Sequence, residues 1–262
     1  MVNIAVNGAG GRMGQEIINV ISSRPDANLS GAFEREGTPI IGTQHLAFSK
    51  IKYEVINEAT VNNSDVIIDF TAPQATIRII EKAVDFKKPL VIGTTGLSKE
   101  VKDMINIASK QIPIVFAPNM SVGVNLLFKL VELAAKTLED EYDIEIIEAH
   151  HKHKKDAPSG TAVKLAEIAA ETLGRSYEEN VQCERNGIIG ERPDKEIGVQ
   201  TIRGGDIVGE HNVMYIGEGE RLELIHKATN RNIFAKGAVR AAVWLKGKDI
   251  GLYNMFDVLN LK

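Results

Sequence analysis

The chain has 262 residues, 25% of them charged and 44% hydrophobic, which suits a globular protein of two modest domains and excludes a disordered one. Its formal net charge of -4 argues against general nucleic-acid affinity, because a phosphate backbone has to be met by a basic face. Cys183 is the only cysteine, so no intrachain disulfide forms, and no run approaches the roughly 18 apolar residues of a membrane span; a soluble cytoplasmic protein is expected.

The chain starts directly in a strand-like run, Val2 to Val6, without the basic and apolar regions of a signal peptide. VNIAVNGAGGRMGQEIINVISS reads as a buried strand, a glycine turn and an amphipathic helix with Met13, Ile17, Ile18 and Ile21 on its apolar face. That order makes a phosphate cradle: Gly8 permits the tight turn, Gly10 lets backbone approach a pyrophosphate, and a helix opening near Gly11 offers N–H groups, with Arg12 adding charge. Met13 holds the position where a third glycine is usual, and Gly14 comes one residue late, so an ordinary tight turn is the alternative. A second strand, Leu29 to Phe33, leads to Glu34 and Arg35. An acidic residue there accepts from the ribose of NAD, and an arginine pairs with the 2'-phosphate of NADP, so the pair suits both cofactors.

The alternation continues with a strand at Val66 to Asp69, a helix over Ala75 to Phe86, a strand at Leu90 to Gly93, a helix near Lys99 to Ser109 and a strand at Ile114 to Ala117. Alternating strands and helices with apolar strand runs imply a Rossmann-type, doubly wound parallel sheet. Ligands in such sheets lie at the carboxyl ends of strands. The loops Phe70 to Pro73, Gly93-Thr94-Thr95-Gly96 and Ala117-Pro118-Asn119-Met120 are therefore expected at the nicotinamide end, where small residues let a flat ring lie close. A plain turn is the alternative for GTTG.

After Asn119 the texture changes. Val124 to Leu138 is a helix, Tyr142 to Ala149 a strand, and Val199 to Arg203, Ile207 to Met214 and Leu222 to Ala228 are further strands, giving a second α+β domain with a mixed sheet. Tyr177 to Arg192 reads as a loop able to cover a site. Ile233 to Leu245 is a helix that packs back on the first domain. The expected division is 1–121 with 230–262, and 122–229.

Within the second domain, EAHHKHKKDAPSGTA (148–162) places Lys152, Lys154 and Lys155 among His150, His151 and His153. Lysines supply point charges, and imidazoles exchange protons near neutral pH. Alternation puts Ile144, Ile146, Glu148 and His150 on one strand face. Ser159 can cap a helix over Ala162 to Leu173, whose N-terminal amides at Gly160 and Thr161 suit a carboxylate or phosphate. A solvated basic loop is the plain alternative, as packing or a backbone hydrogen bond is for each histidine. No metal is expected, since three lysines repel a cation and no carboxylate or thiolate stands at ligand spacing. His45, His211 and His226 stand isolated and read as structural.

VNGAGGRMG, FEREG, GTTG, APNMSVGVN, EAHHKHKKDAPSGTA, GDIVGEHNVMY and ERLELIHKATNR together resemble the 4-hydroxy-tetrahydrodipicolinate reductase family, also called dihydrodipicolinate reductase, of bacterial diaminopimelate and lysine biosynthesis. The resemblance spans nearly the whole chain, and the Met13 variant of the glycine turn is part of the family pattern. It implies reduction of a cyclic, unsaturated imine dicarboxylate by NADH or NADPH. Gly8, Ala9, Gly10, Gly11, Arg12 and Met13 would hold the pyrophosphate, and Glu34 and Arg35 the adenosine ribose. Gly93, Thr94 and Thr95 with Ala117, Pro118, Asn119 and Met120 would meet the nicotinamide. His150 matches the proton donor and acceptor, Lys154 the proton donor, His151 a substrate contact, and Gly160 and Thr161, beside Ser159, the carboxylate turn. It also implies a homotetramer formed through the second domain's sheet. With the cofactor in one domain and these groups in the other, a closing motion is expected to bring the reactants together and expel water. Another two-domain dehydrogenase and a nucleotide-sensing binding protein are the competing readings.

Overall fold

The computed structural model describes residues 1–261, and the chain divides into two compact units: Met1–Val122 together with the stretch from Asn232 on, and Gly123–Arg231. The first unit opens with β1 (Val2–Asn7), whose Ile4, Ala5 and Val6 are fully buried, and α1 (Arg12–Ser22), which buries Ile17, Ile18, Val20 and Ile21 on one face. β2 (Ala27–Phe33) follows and pairs parallel to β1. Three elements then appear that periodicity does not announce: β3 (Gln44–His45), β4 (Phe48–Glu54) and α2 (Glu58–Asn62), the last capped by the Asn57 side chain accepting from the Thr60 amide. β5 (Val66–Asp69), α3 (Pro73–Asp85), β6 (Leu90–Ile92), α4 (Lys99–Ala108) and β7 (Pro113–Phe116) lie within two residues of their expected limits. Pro73 suits the first turn of α3, where its missing N–H costs no hydrogen bond. Ser98 caps α4 by accepting from the Val101 amide.

The second unit is carried by α5 (Val122–Leu138), β8 (Asp143–His150), α6 (Gly160–Thr172), the single turn α7 (Tyr177–Asn180), β9 (Val181–Gln182), β10 (Ile197–Arg203), β11 (Gly209–Ile216) and β12 (Arg221–Ala228). The sheet order is β12-β11-β8-β10-β9, antiparallel from β12 to β8 and parallel from β8 to β9. One face buries Ile144, Ile146, Val213 and Tyr215, and the Tyr215 hydroxyl donates to the Val131 carbonyl of α5 at 2.8 Å. The other face carries Ile202 and Ile225, each about half exposed at 51% and 52%.

The stretch from Tyr177 to Arg192 is not the free covering loop expected. It contains α7 and β9, and Arg185 grips Glu145 through two nitrogens at 2.7 and 2.9 Å, while Arg192 bonds Asp143 and Glu145. These anchors sit at the start of β8, five to seven residues from His150, a separation of roughly 16–23 Å along a strand. Four charged side chains outweigh the turn-rich composition that suggested mobility.

The chain re-enters the first unit as α8 (Asn232–Leu245), β13 (Gly251–Tyr253) and α9 (Met255–Leu259). α8 packs on α1, and its Ala235, Ala238, Val239, Ala242 and Leu245 complete the core beneath β1 and β5. A Cβ on Gly237 would stand 1.7 Å from the Met120 carbonyl oxygen, so only glycine allows α8 this close. The completed sheet runs β13-β7-β6-β5-β1-β2-β4-β3, parallel throughout except for β3 against β4. Strand order reverses between β1 and β5, and the loops after these two strands flank the crevice where a doubly wound sheet takes its ligand.

Candidate functional site

At that crevice Gly8 has φ +73°, and a Cβ there would stand 2.5 Å from Thr71 Cγ2, so glycine is required both by conformation and by the approach of the Thr71 loop. Gly14 supplies the close packing that Met13 does not: a Cβ on it would be 2.2 Å from the Gly8 carbonyl oxygen. The Gly8 and Ala9 amides donate to the Phe33 carbonyl, and the Gly11 amide to that of Gly8. The Gly10 amide instead donates to Glu34 Oε2 at 3.0 Å, so a carboxylate already rests on the turn where an anion is expected. Glu34 Oε1 accepts from the Arg35 amide at 3.0 Å. A cavity of about 640 Å³ opens here, lined among others by Gly8, Glu34, Arg35, Thr71 and Arg78, a volume suited to a cofactor-sized group. Arg12 and Arg35 are exposed, Met13 is half-buried, and Ala9 is core.

The expected nicotinamide loops are less open than their small residues suggest. The Phe70 ring covers Gly93, leaving no room for even a Cβ, which would lie 2.1 Å from the ring. Thr94 turns inward: its hydroxyl accepts from the Thr71 amide at 3.0 Å and donates to Asp69 Oδ2 at 2.9 Å. Asp69 is fully buried and also accepts from Asn7, Thr71 and Thr76, which fixes the ends of β1 and β5. Thr95 and Pro118 are exposed, Asn119 accepts from the Ser121 amide at 2.9 Å, and Ala117 and Met120 are core side chains. Ala9, Ala117 and Met120 are thus able to meet a ligand only through backbone.

In the second unit strand register gathers the chemistry. β8 and β10 pair Glu148 with Thr201 and His150 with Arg203, while β8 and β11 pair Glu148 with His211. Cross-strand partners share a face, so residues more than 50 positions apart converge on Glu148. Glu148 is fully buried. Its Oε2 lies 2.6 Å from His150 Nδ1 and accepts from Arg203 at 2.7 Å; its Oε1 accepts from the Ser159 amide at 2.9 Å, Arg203 at 2.8 Å and Thr201 at 3.2 Å. Burial pushes the carboxyl up, but the bonds from His150, Arg203 and the Ser159 amide outweigh it and hold Glu148 far below the usual carboxylate range. An ionised carboxylate only accepts, so His150 Nδ1 carries a proton and Nε2 is the atom left for exchange. That Nε2 lies over Gly209, where an added Cβ would stand 3.0 Å away.

Ser159 caps α6 by accepting from the Ala162 amide at 3.2 Å, and its hydroxyl lies 3.0 Å from His211 Nε2. Gly160 is exposed, with open space above its Cα, so the helix N-terminus faces outward beside the Glu148 network. His211 is not the isolated residue its sequence position suggests. It stacks edge-on to His150 with ring centroids 5.3 Å apart, and burial lowers it to about 4, so it is neutral at pH 7. Lys154 is ion-paired to Asp156 at 2.7 Å, whereas Lys152 and Lys155 are exposed. His151 is half-buried, its amide bonded to the Ile207 carbonyl at 2.8 Å, its ring 6.3 Å from that of His153 and its imidazole lowered first by burial and then by Arg231. Sequence reasoning missed Arg203, Thr201 and His211 because they are tied to the site by register alone. His45, packed between Phe48 and Tyr53, is structural as expected.

Residues 2–120 match the family model for the N-terminus of dihydrodipicolinate reductase, and residues 123–259 match that for its C-terminus. Curated relatives named 4-hydroxy-tetrahydrodipicolinate reductase include those of Geotalea daltonii, 50% identical over 267 residues and covering 100% of both chains, and Anaeromyxobacter dehalogenans (strain 2CP-C), 48% identical over 269 residues, covering 100% of this chain and 99% of the relative. Among solved structures, a dipicolinate-bound dihydrodipicolinate reductase from Paenisporosarcina sp. TG-14 superposes with a TM-score of 0.78 at 25% identity, covering 98% of each chain. A probable dehydrogenase from Thermotoga maritima shares the fold at a TM-score of 0.65 and 10% identity.

Proposed function

The chain belongs to the dihydrodipicolinate reductase family, and on that premise we propose how its residues carry out the reduction of 4-hydroxy-tetrahydrodipicolinate to tetrahydrodipicolinate in diaminopimelate and lysine biosynthesis. The observation that carries the reading is the joining of His150 and the Ser159 turn through one buried carboxylate, which sets a proton carrier beside an anion-binding helix N-terminus. Loss of the substrate's 4-hydroxyl as water leaves the conjugated imine, to which a bound nicotinamide cofactor would supply a hydride. The negative charge that develops on the ring is neutralised by a proton from a positioned acid. His150, with Nδ1 fixed on Glu148, delivers it from Nε2, and Lys154 supports or supplies it after release from Asp156. The backbone at Gly160 and Thr161 takes one substrate carboxylate, and His151 adds a contact.

The residues of the glycine turn fit a dinucleotide: Gly8 and Gly14 permit the turn, the Gly10 amide already holds an anion, and the adjoining cavity has Glu34 and Arg35 in its wall. Glu34 exchanges the Gly10 amide for ribose hydroxyls, and Arg35 meets a 2'-phosphate, so both NADH and NADPH serve. Arg12 and Met13 complete the pyrophosphate turn, and Gly93 to Thr95 with Ala117 to Met120 approach the nicotinamide, mostly through backbone. Oligomerisation to a homotetramer is part of the same reading, supported by the half-exposed Ile202 and Ile225 on the uncovered face of the second sheet. A cytoplasmic setting is part of it as well. The test is an absorbance assay of NADH and NADPH oxidation with the unsaturated dicarboxylate: turnover with both supports the reading, and nucleotide binding without turnover overturns it.

A further inference from the structure

Among the described residues only Asp69 and Glu148 are carboxylates without exposed surface. Asp69 is met by hydroxyls and an amide side chain that lock two strand ends together. Glu148 differs, because its partners are the groups assigned to the substrate. One oxygen takes the His150 ring and the other the Ser159 amide, with Arg203 across both. Between His150 and Ser159 runs a largely exposed loop, 151–158, held by backbone hydrogen bonds from His151 and Lys152 to Ile207 and Gly205, and Glu148 is the carboxylate that bonds both of its ends. A buried ion pair is weak evidence for stability, since apolar residues of equal volume commonly serve folding as well; what it fixes is geometry. Arg203 also donates to the Asp156 carbonyl at 2.7 Å, which extends the same anchor to the residue that pairs with Lys154.

We propose that Glu148 is a positioning residue for the reduction: its single carboxylate holds the proton-donating ring of His150 and the carboxylate-binding turn at Ser159 to Thr161 at one fixed spacing. Arg203 keeps that carboxylate oriented, and Thr201 completes its shell. The proposal rests on the substrate roles assigned above to His150 and the turn. It predicts that losing Glu148 impairs proton delivery and substrate binding together, while the nucleotide turn of the other unit is untouched.

The experiment compares the full chain with Glu148→Gln, His150→Gln and the double variant, using dipicolinate as a non-reacting probe of the carboxylate turn. Glu148→Gln is expected to lower kcat about 10- to 100-fold, the scale of losing a positioned partner of a site group. Dipicolinate Kd should rise about tenfold, with NADH Kd unchanged. In the His150→Gln background the further loss of kcat should shrink to about twofold or less, because residues acting through one another are not additive, whereas the rise in dipicolinate Kd should persist. An unchanged kcat, an unchanged dipicolinate Kd, or an undiminished kcat loss in the His150→Gln background overturns the proposal. His150→Gln with normal turnover instead overturns the assignment of His150 as donor. Should Glu148→Gln fail to fold by circular dichroism, Glu148→Asp is read against the same outcomes, since it keeps the charge for Arg203 but is one methylene too short to span both partners.

Discussion

His150 and Lys154 look alike as proton carriers by type, yet they are held differently: the imidazole is fixed on a buried carboxylate, and the ammonium lies on the exposed Asp156. Lys154→Ala should lower kcat about 100-fold, the scale of losing a general acid, with NADH KM little changed; equal losses in both would remove it from the chemistry. Arg35→Ala should raise the NADPH KM about tenfold or more and leave the NADH KM near its original value, as expected for one charged contact to a 2'-phosphate; an unchanged preference would free Arg35 of that role. His211 gives a pH signature. Its folded value of about 4 lies below the ordinary 6.5, so between these limits the unfolded chain binds more protons than the folded one. The contribution of His211 to stability is therefore complete above pH 6.5 and falls by up to about 3 kcal/mol as pH drops toward 4. His211→Asn should flatten that part of a plot of urea midpoint against pH, and an unaltered slope would point to another group. The alternation in DIEIIEAH shows Glu148 and His150 on one face, but nothing local brings Arg203 or His211 to them.

At the scale of elements, the glycine turn shows how a departure from a pattern resolves in space. Met13 occupies the usual third glycine position, while Gly14 makes the close approach, lying against the Gly8 carbonyl. Gly14→Ala should destabilise the first unit by about 1–3 kcal/mol, the range of overpacking in a tight site, and raise the NADH KM, read by urea denaturation and initial rates. An alanine variant with native stability and KM would mean that α1 shifts freely. The alternating strands and helices from Val66 to Phe116 were legible because buried parallel strands are short apolar runs between amphipathic helices. β4 and α2 were not: β4 has only Tyr53 buried and mixes exposed with half-buried positions, and α2 has five residues, too few to show a period. The stretch from Tyr177 to Arg192 departs from its expected covering loop for the converse reason, since turn-forming composition says nothing of the acidic strand end that Arg185 and Arg192 find.

For the whole molecule, the first unit is closed by a helix that returns from beyond residue 231, and its alanine-rich face fills a core begun at residue 2. The second unit covers one face of its sheet and leaves Ile202 and Ile225 on the other, which supports assembly of copies through that face. Light scattering should give the mass of four chains, and Ile225→Asp should shift it to smaller species; a monomer in the parent protein would remove the tetramer. By itself the sequence determined the class of the fold, the family and the residue types of the site, because periodicity, glycine turns and a contiguous histidine-lysine motif are local signals. Only the tertiary structure decided which groups are in contact: that Glu148 joins the imidazole to the helix cap, that Thr94 faces inward and Phe70 covers Gly93, and that His211 belongs with His150. Strand register and the close approach of loops set those contacts, and both depend on the packing of segments far apart in the chain rather than on any one of them.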